Sequence, residues 1–554
     1  MWDSAWKIEK RNGIFPNNYD AARLPGAFLT SAICLALLFL CPHLLPVSEG
    51  QGSAWAEHPQ LSLTVDQKID LLTPENASPS ILEALQGLRK TIPQAESDPT
   101  RPVYHFRPLA QWMSDPCATI YHKGYYHLFH QFAPNGDHIT PELRMCWGHA
   151  RSKDLVHWEY LPLALWASRD VGERRCNSGS ITINGDGQPM IFYTSCPIKH
   201  KSARQQWAAT GSHDLLRWKK VPDNPLLTVE THGGPRFGNG WSDPFVFQVA
   251  GRNFMIIGAE VGNVVALPIY EALDSQMVRW EYRGYLLEST KQKMSEYECP
   301  NFFKLGDKWV LLWSPGSQVK YMVGSFDLEN LRFHPEKEGI VDHSYGPRFP
   351  HFLTRGLYAT NVLFDETGRP AIFAWASGFK QGRGWNGCLT LPRTMTLGAD
   401  GRPRQSPVAE LKKLRSEHFR MDDVNVNSDG HLVEGVGGDT LEIVAQLELG
   451  SAESAGINLR RSDDGTRAVT IRYDGQDLNV AGTSFGFQLA EDEPTLKLHV
   501  FLDKSLMEVF VNDGRECVTR VIYPEEGDLG IELFASGGSA RLRSLDVWKM
   551  RGIW

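Results

Sequence analysis

Three acidic residues, Asp115, Asp243 and Glu298, stand at one place in three copies of a single local pattern. The copies are WMSDPCATIYHKGYYHLFHQ, GWSDPFVFQVAGRNFMIIGA and YECPNFFKLGDKWVLLWS. In each, the acid comes just before a proline, followed by an apolar run, a turn glycine and a second apolar run. The glycines are Gly124, Gly251 and Gly306, so the acids precede them by 9, 8 and 8 residues. Carboxylates brought together at one point are the machinery of glycoside cleavage. One protonates the leaving oxygen while another acts on the anomeric carbon.

Such convergence needs a scaffold that repeats. A second element recurs between the acids: Asp154-Leu155-Val156-His157-Trp158, Asp214-Leu215-Leu216-Arg217-Trp218, Asp274 to Trp280, and Asp327-Leu328 to Phe333. Its closing aromatics are 60, 62 and 53 residues apart. Here the Asp reads as a turn residue and the aromatic as packing between repeats, with no chemical role. Two more strand–turn–strand units, Asn177 to Thr194 and Tyr358 to Ser377, lack a leading acid. Five units therefore begin near residues 113, 177, 242, 297 and 358. A period near 60 with several short apolar strands per copy predicts the blades of a propeller, whose inner strands point equivalent residues at one axial mouth.

The expected architecture is all-β: a five-bladed β-propeller over 101–400 and a C-terminal β-sandwich over 401–554. The composition shift at GADGRPRQSP marks the boundary. Beyond it, segments such as LEIVAQLEL and SLMEVFVND alternate with period two between Gly/Asp/Asn turns. Residues 57–100 read as an extension packed on the outside, with a weakly amphipathic stretch from Ile69 to Ile92 broken by prolines. Residues 1–56 read as a targeting segment: a basic lead, an apolar run from Ala27 to Leu45, and the small-x-small pattern Ala54-Trp55-Ala56. This predicts a secreted or extracytoplasmic protein. The alternative is a membrane anchor, since the apolar run nearly suffices to cross a bilayer.

Composition narrows the partners. The 554 residues carry a net charge of −8 with no long basic run, which argues against nucleic acid. The 17 Trp suit either sugar stacking or packing between blades. Of the 9 Cys, seven lie beyond the targeting segment without any C-x-x-C pair. No structural metal site is expected, no cofactor either, and these cysteines read as buried free thiols with room for one disulfide.

Taken in order, the motifs resemble glycoside hydrolase family 32, the invertase, inulinase and levanase group. WMSDP resembles the family's WMNDP, and WGHARSKDLVHW its W-G-H-A-x-S-x-D-L-V-H-W. NSGS resembles F-S-G-S, WSDP stands at the place of R-D-P, and YECPNFF carries E-C-P. RGWNGCLTLPRTMTL and FLDKSLMEVFVNDG match the family's propeller closure and sandwich strand pair. The resemblance implies that Asp115 is the nucleophile, Glu298 the general acid/base, and Asp243 the residue that binds fructose hydroxyls and stabilises the transition state. It further implies sugar contacts by Trp112, Gln131 and Ser178, and Ser114 and Ser242, which differ from the family's residues, are expected at the substrate as well. The apolar neighbours of Glu298 suit the carboxyl that must stay protonated.

The departures cluster around the acids. Ser114 replaces the Asn of WMNDP, Cys117 and Ala118 replace the following Asn-Gly, and Asn177 replaces the Phe of F-S-G-S. Leu143 stands for a family Trp, and Ser242 replaces the Arg of R-D-P, whose forked charge a serine cannot supply. With all three acids present, the expectation is a secreted retaining glycosidase acting on fructose-containing di- or oligosaccharides, with its substrate preference changed. Two other readings stay open at this stage: a sugar-binding relative with impaired catalysis, and a related five-bladed glycosidase that inverts a different furanoside or pyranoside.

Overall fold

The computed structural model describes residue 60 and residues 62–138, 143–198, 204–238, 240–290, 297–344, 356–490 and 492–554. The targeting segment read at 1–56 lies outside the described residues.

Five antiparallel sheets form the propeller, each running outward from one inner strand. The inner strands are Gln111–His122, Glu173–Ile183, Ser242–Val249, Glu298–Leu305 and Gly356–Phe364, for blades one to five. They begin close to the five starts read from the repeat. Their sequences are almost continuously apolar because both faces are covered, as in CATIY and FVFQV. Gly124, Gly251 and Gly306 close the inner hairpins of blades one, three and four with φ of 81°, 74° and 63°, a left-handed conformation that glycine adopts without strain.

The Asp-x-x-x-Trp element is the turn that starts the outer strand. Asp154 Oδ1 accepts from the backbone N–H of Val156 and His157 at 3.1 and 2.9 Å. Leu155, Leu215, Met277 and Leu331 take the same positive φ, between 54° and 63°. Trp158, Trp218 and Trp280 then open their outer strands and donate their indole N–H to the carbonyls of Leu155, Leu215 and Met277. The ring is closed by Trp385–Asn386, which pairs in parallel with Gln111 and Trp112 of blade one.

Blade five ends with Pro403–Pro407, and the short 3₁₀ helix Ala409–Leu414 leads into two six-stranded antiparallel sheets. Their facing sides bury Leu441, Ile443, Ile457, Leu498, Val500, Leu533 and Leu545. The sandwich is held on the propeller by buried charge. His105 contacts Asp503 at 2.8 Å and Glu508 at 3.1 Å, and Arg393 contacts Glu508 at 2.6 Å and Asp342 at 3.0 Å. The region 57–100 supplies three short helices, Val65–Leu72, Pro79–Gln86 and Leu88–Glu96. Their apolar sides, with Ile69, Leu85, Leu88 and Ile92, join the core that contains Trp158 and Tyr160 of blade one. All seven described cysteines are free thiols, so the disulfide for which the sequence left room is not formed among them.

Candidate active site

At one end of the propeller axis, every inner strand carries an irregularity at the same level. The ladder slips between Met113 and Ala118, between Cys176 and Gly179, between Ser242 and Phe245, between Glu298 and Asn301, and between Tyr358 and Thr360. A bulge re-aims a side chain that regular pleating would direct elsewhere. Three residues beside it have left-handed backbones, Asp243 with φ 62°, Cys299 with φ 46° and Ala359 with φ 48°. A non-glycine residue held this way costs about 1–3 kcal/mol, which surrounding structure must offset. Close approach of blades three and four completes the arrangement. A Cβ added to Gly258 would lie 2.0 Å from the carbonyl oxygen of Tyr297, so only glycine lets the strand end bearing Glu298 sit there.

The bulges bring the acids together. Asp115 Oδ2 accepts a 2.7 Å hydrogen bond from the Ser178 hydroxyl on blade two. Asp243 Oδ2 accepts the backbone N–H of Cys299 at 3.1 Å. The Cys299 thiol lies 3.9 Å from Asp115 Oδ2 and 3.7 Å from Asp243 Oδ2, so blades one, three and four meet at one point next to Glu298. Glu298 Oε2 accepts a 2.7 Å hydrogen bond from the Tyr358 hydroxyl on blade five. The backbone N–H of Asp243 donates to Thr194 Oγ1 at 2.9 Å, which anchors its strand to blade two.

The electrostatics follow from burial. Asp115 is pushed up to about 6, first by loss of water and further by the negative charge of Asp243, while the Ser178 hydroxyl opposes the rise. Burial also raises Asp243, against the pull of Arg204 and the Cys299 N–H. The neighbouring thiols of Cys117 and Cys299 are driven upward by burial and by these carboxylates, so both are neutral.

Of the remaining residues expected at the sugar, Ser114 and Ser242 are buried, and their hydroxyls favour the charged forms of Asp115 and Asp243. Gln131 gives its amide N–H to the Cys176 carbonyl at 3.0 Å, while its Oε1 is buried without a hydrogen-bond partner. Trp112 is buried edge-on against Trp375 with centroids 5.8 Å apart. Cys299, Tyr358, Thr194 and Arg204 were not singled out from the sequence. Tyr358 begins a repeated unit and Cys299 directly follows the acid of another, position signals that could have marked them. Thr194 and Arg204 act across blades, and nothing local marks them.

A five-bladed propeller with three carboxylates gathered at its axial mouth, followed by a sandwich, is the frame of a glycoside-cleaving enzyme. The N-terminal domain of glycosyl hydrolases family 32 matches residues 105–407, and the C-terminal domain of that family matches residues 410–549. The chain belongs to glycosyl hydrolases family 32, and is a glycosidase. It is 28% identical over 509 residues to a levanase of Bacillus subtilis (strain 168), covering 82% of this chain and 71% of the relative. With a sucrose-6-phosphate hydrolase of Escherichia coli it shares 27% identity over 498 residues, covering 85% and 99%. Its fold matches fructan 1-exohydrolase IIa from Cichorium intybus with a TM-score of 0.71 at 21% identity, covering 82% of this chain and 98% of that one.

Proposed function

We propose that the protein is a secreted retaining β-fructosidase that releases fructose from fructose-containing di- or oligosaccharides by double displacement. The observation that carries this reading is the meeting of Asp115 and Asp243 at Cys299, the residue directly after Glu298. Relatives named for levan and for sucrose 6-phosphate support the fructoside class.

In the first step, the Asp115 carboxylate attacks the anomeric carbon of the fructosyl unit, forming a covalent ester as the glycosidic bond breaks. Glu298 donates its proton to the departing oxygen. In the second, Glu298 takes a proton from water, which attacks the same carbon and frees Asp115. Asp243 accepts hydrogen bonds from fructose hydroxyls, which strengthen as positive charge develops on the ring. The Ser178 hydroxyl keeps one Asp115 oxygen engaged, leaving the other for attack. The Tyr358 hydroxyl fixes the Glu298 carboxyl. Export is supported by the basic lead, apolar run and Ala54-Trp55-Ala56 pattern.

Purified protein incubated with sucrose, levan and inulin should release fructose, and proton NMR should show the first-formed anomer with retained configuration. Absence of turnover on all three by folded protein would remove the substrate assignment, and an inverted first anomer would remove the covalent mechanism. A mature N-terminus at Glu57 in the culture medium would support export, whereas retention of the whole chain in the membrane fraction would contradict it.

A further inference from the structure

Asp243 is a half-buried carboxylate beside a second one, Asp115, and the residue before it is Ser242, which carries no charge. Keeping two half-buried carboxylates ionised side by side is easier with a cation nearby. Blade two provides the direction from which one can come. Its second and third strands pair Thr194 with Gln206 and Ser195 with Gln205. Thr194 Oγ1 receives the Asp243 backbone N–H at 2.9 Å and gives its own proton to Gln206 Oε1, also at 2.9 Å. Gln206 Nε2 then donates to the carbonyl of Trp241 at 3.2 Å. The Gln206 side chain is therefore turned toward the strand start that carries Asp243.

Extended backbone returns to the same face every second residue. Arg204 precedes the strand Gln205–Gly211 by one residue, so it shares the face of Gln206 and lies one pleat nearer the axial mouth. Gln205 points the other way and accepts from the Trp207 indole. Arg204 is half-buried, and its side chain is long enough to reach toward Asp243.

We propose that Arg204 is a positioning residue for Asp243, a guanidinium delivered from blade two that supplies the charge absent at Ser242. The electrostatics agree: burial raises the Asp243 carboxyl, and Arg204 is the cation that opposes that rise. A forked donor can hold one oxygen of Asp243 while leaving the other for the sugar. A serine at 242 takes less room than an arginine would, so the same charge is kept from a different blade. This inference rests on reading Asp243 as the carboxylate that binds the fructosyl unit.

Two measurements test it. With wild-type activity on sucrose or levan as reference, Arg204→Ala should lose about 100-fold or more in kcat/KM. Arg204→Lys, which keeps charge without the fork, should fall between them. The double variant Arg204→Ala/Ser242→Arg should regain at least about tenfold over Arg204→Ala. An Arg204→Ala enzyme within about threefold of wild type overturns the proposal, as does a loss that neither Arg204→Lys nor the double variant relieves.

The second measurement needs no turnover, so it separates this inference from the fructosidase reading. Among the described residues, the titratable or charged groups facing Asp243 are Asp115 and Cys117 from blade one, Arg204 from blade two, and Cys299 from blade four, with Glu298 next to Cys299 in the chain. Without Arg204, the Asp243 pKa rises further, so the cost of ionising it appears as pH rises through the carboxylate range. The melting temperature of Arg204→Ala should match wild type near pH 4 and fall several degrees below it by pH 7. A difference that is the same at both pH values marks a merely structural role and overturns the proposal, whatever the enzyme hydrolyses.

Discussion

The Tyr358 hydroxyl donates to Glu298 Oε2 at 2.7 Å and accepts the Gly316 backbone N–H at 2.8 Å, so one phenol is fixed from behind while it fixes the carboxyl in front. The carboxyl proposed to protonate the leaving oxygen sits on blade four, and the group that aims it sits on blade five. Tyr358→Phe should keep the fold, because the ring is buried among Leu357, Val362 and Trp375. It should lower kcat on sucrose by about 10- to 100-fold, the worth of one hydrogen bond to a charged group. KM should change little, since the phenol orients the proton donor rather than the sugar. A larger effect on KM than on kcat would place Tyr358 in substrate binding.

The division of labour proposed for Asp115 and Glu298 predicts a dependence on leaving group. Glu298→Gln should cost several orders of magnitude on sucrose but much less on an aryl fructoside, whose leaving group departs without a proton. Asp115→Asn should be lost on both, because no ester can form. Comparing the two variants on the two substrates checks this. Equal losses for Glu298→Gln on both would contradict its role as acid.

The propeller was legible because its repeat is local. Each Asp-x-x-x-Trp turn and each acid–proline–glycine hairpin is written within about twenty residues, and a buried inner strand announces itself by its apolar run. The acids were legible for the same reason, being in phase with the turn glycines. What decides their chemistry was not, because it crosses blades. Ser178 reaches Asp115 from blade two, Tyr358 reaches Glu298 from blade five, and Thr194 holds the backbone of Asp243. No spacing along the chain encodes those meetings. Burial beside Asp243 lifts Asp115 to about 6, which no local pattern in the sequence encodes. Ser242 illustrates the same limit: seen alone it is a lost charge, whereas the fold brings Arg204 to that side of the site.

The joint between propeller and sandwich should weaken in base. Burial disfavours charge on His105, but its hydrogen bonds to Asp503 and Glu508 win and raise it from 6.5 to about 9. Its folded value lies above its unfolded one, so its stabilising effect is complete below about pH 6.5 and is lost as pH rises through about 9. The wild-type melting temperature should decline across that window. His105→Gln should flatten the decline and cost about 3–5 kcal/mol at pH 6, because Asp503 and Glu508 lose a buried partner. Thermal scans of both proteins at pH 6, 8 and 9.5 check this, and parallel curves would show that His105 is neutral in the fold.

Activity should fall on the acid side where Asp115 takes up its proton. A nucleophile must be ionised, and burial with the charge of Asp243 sets its value at about 6. The kcat/KM profile of the wild type should therefore drop about tenfold per unit below that pH, the acid limb of a bell whose other side belongs to the proton donor. Because Asp115 and Asp243 interact, the limb belongs to the pair. The Ser178 hydroxyl donates to the charged form of Asp115 and so holds its value down. Removing that donor in Ser178→Ala should move the limb upward by about one unit, the equivalent of a hydrogen bond to a charged group. Well above the limb, the variant should recover most of the wild-type rate. A limb that stays in place, or moves to lower pH, would show that Asp115 is not the group whose ionisation governs turnover.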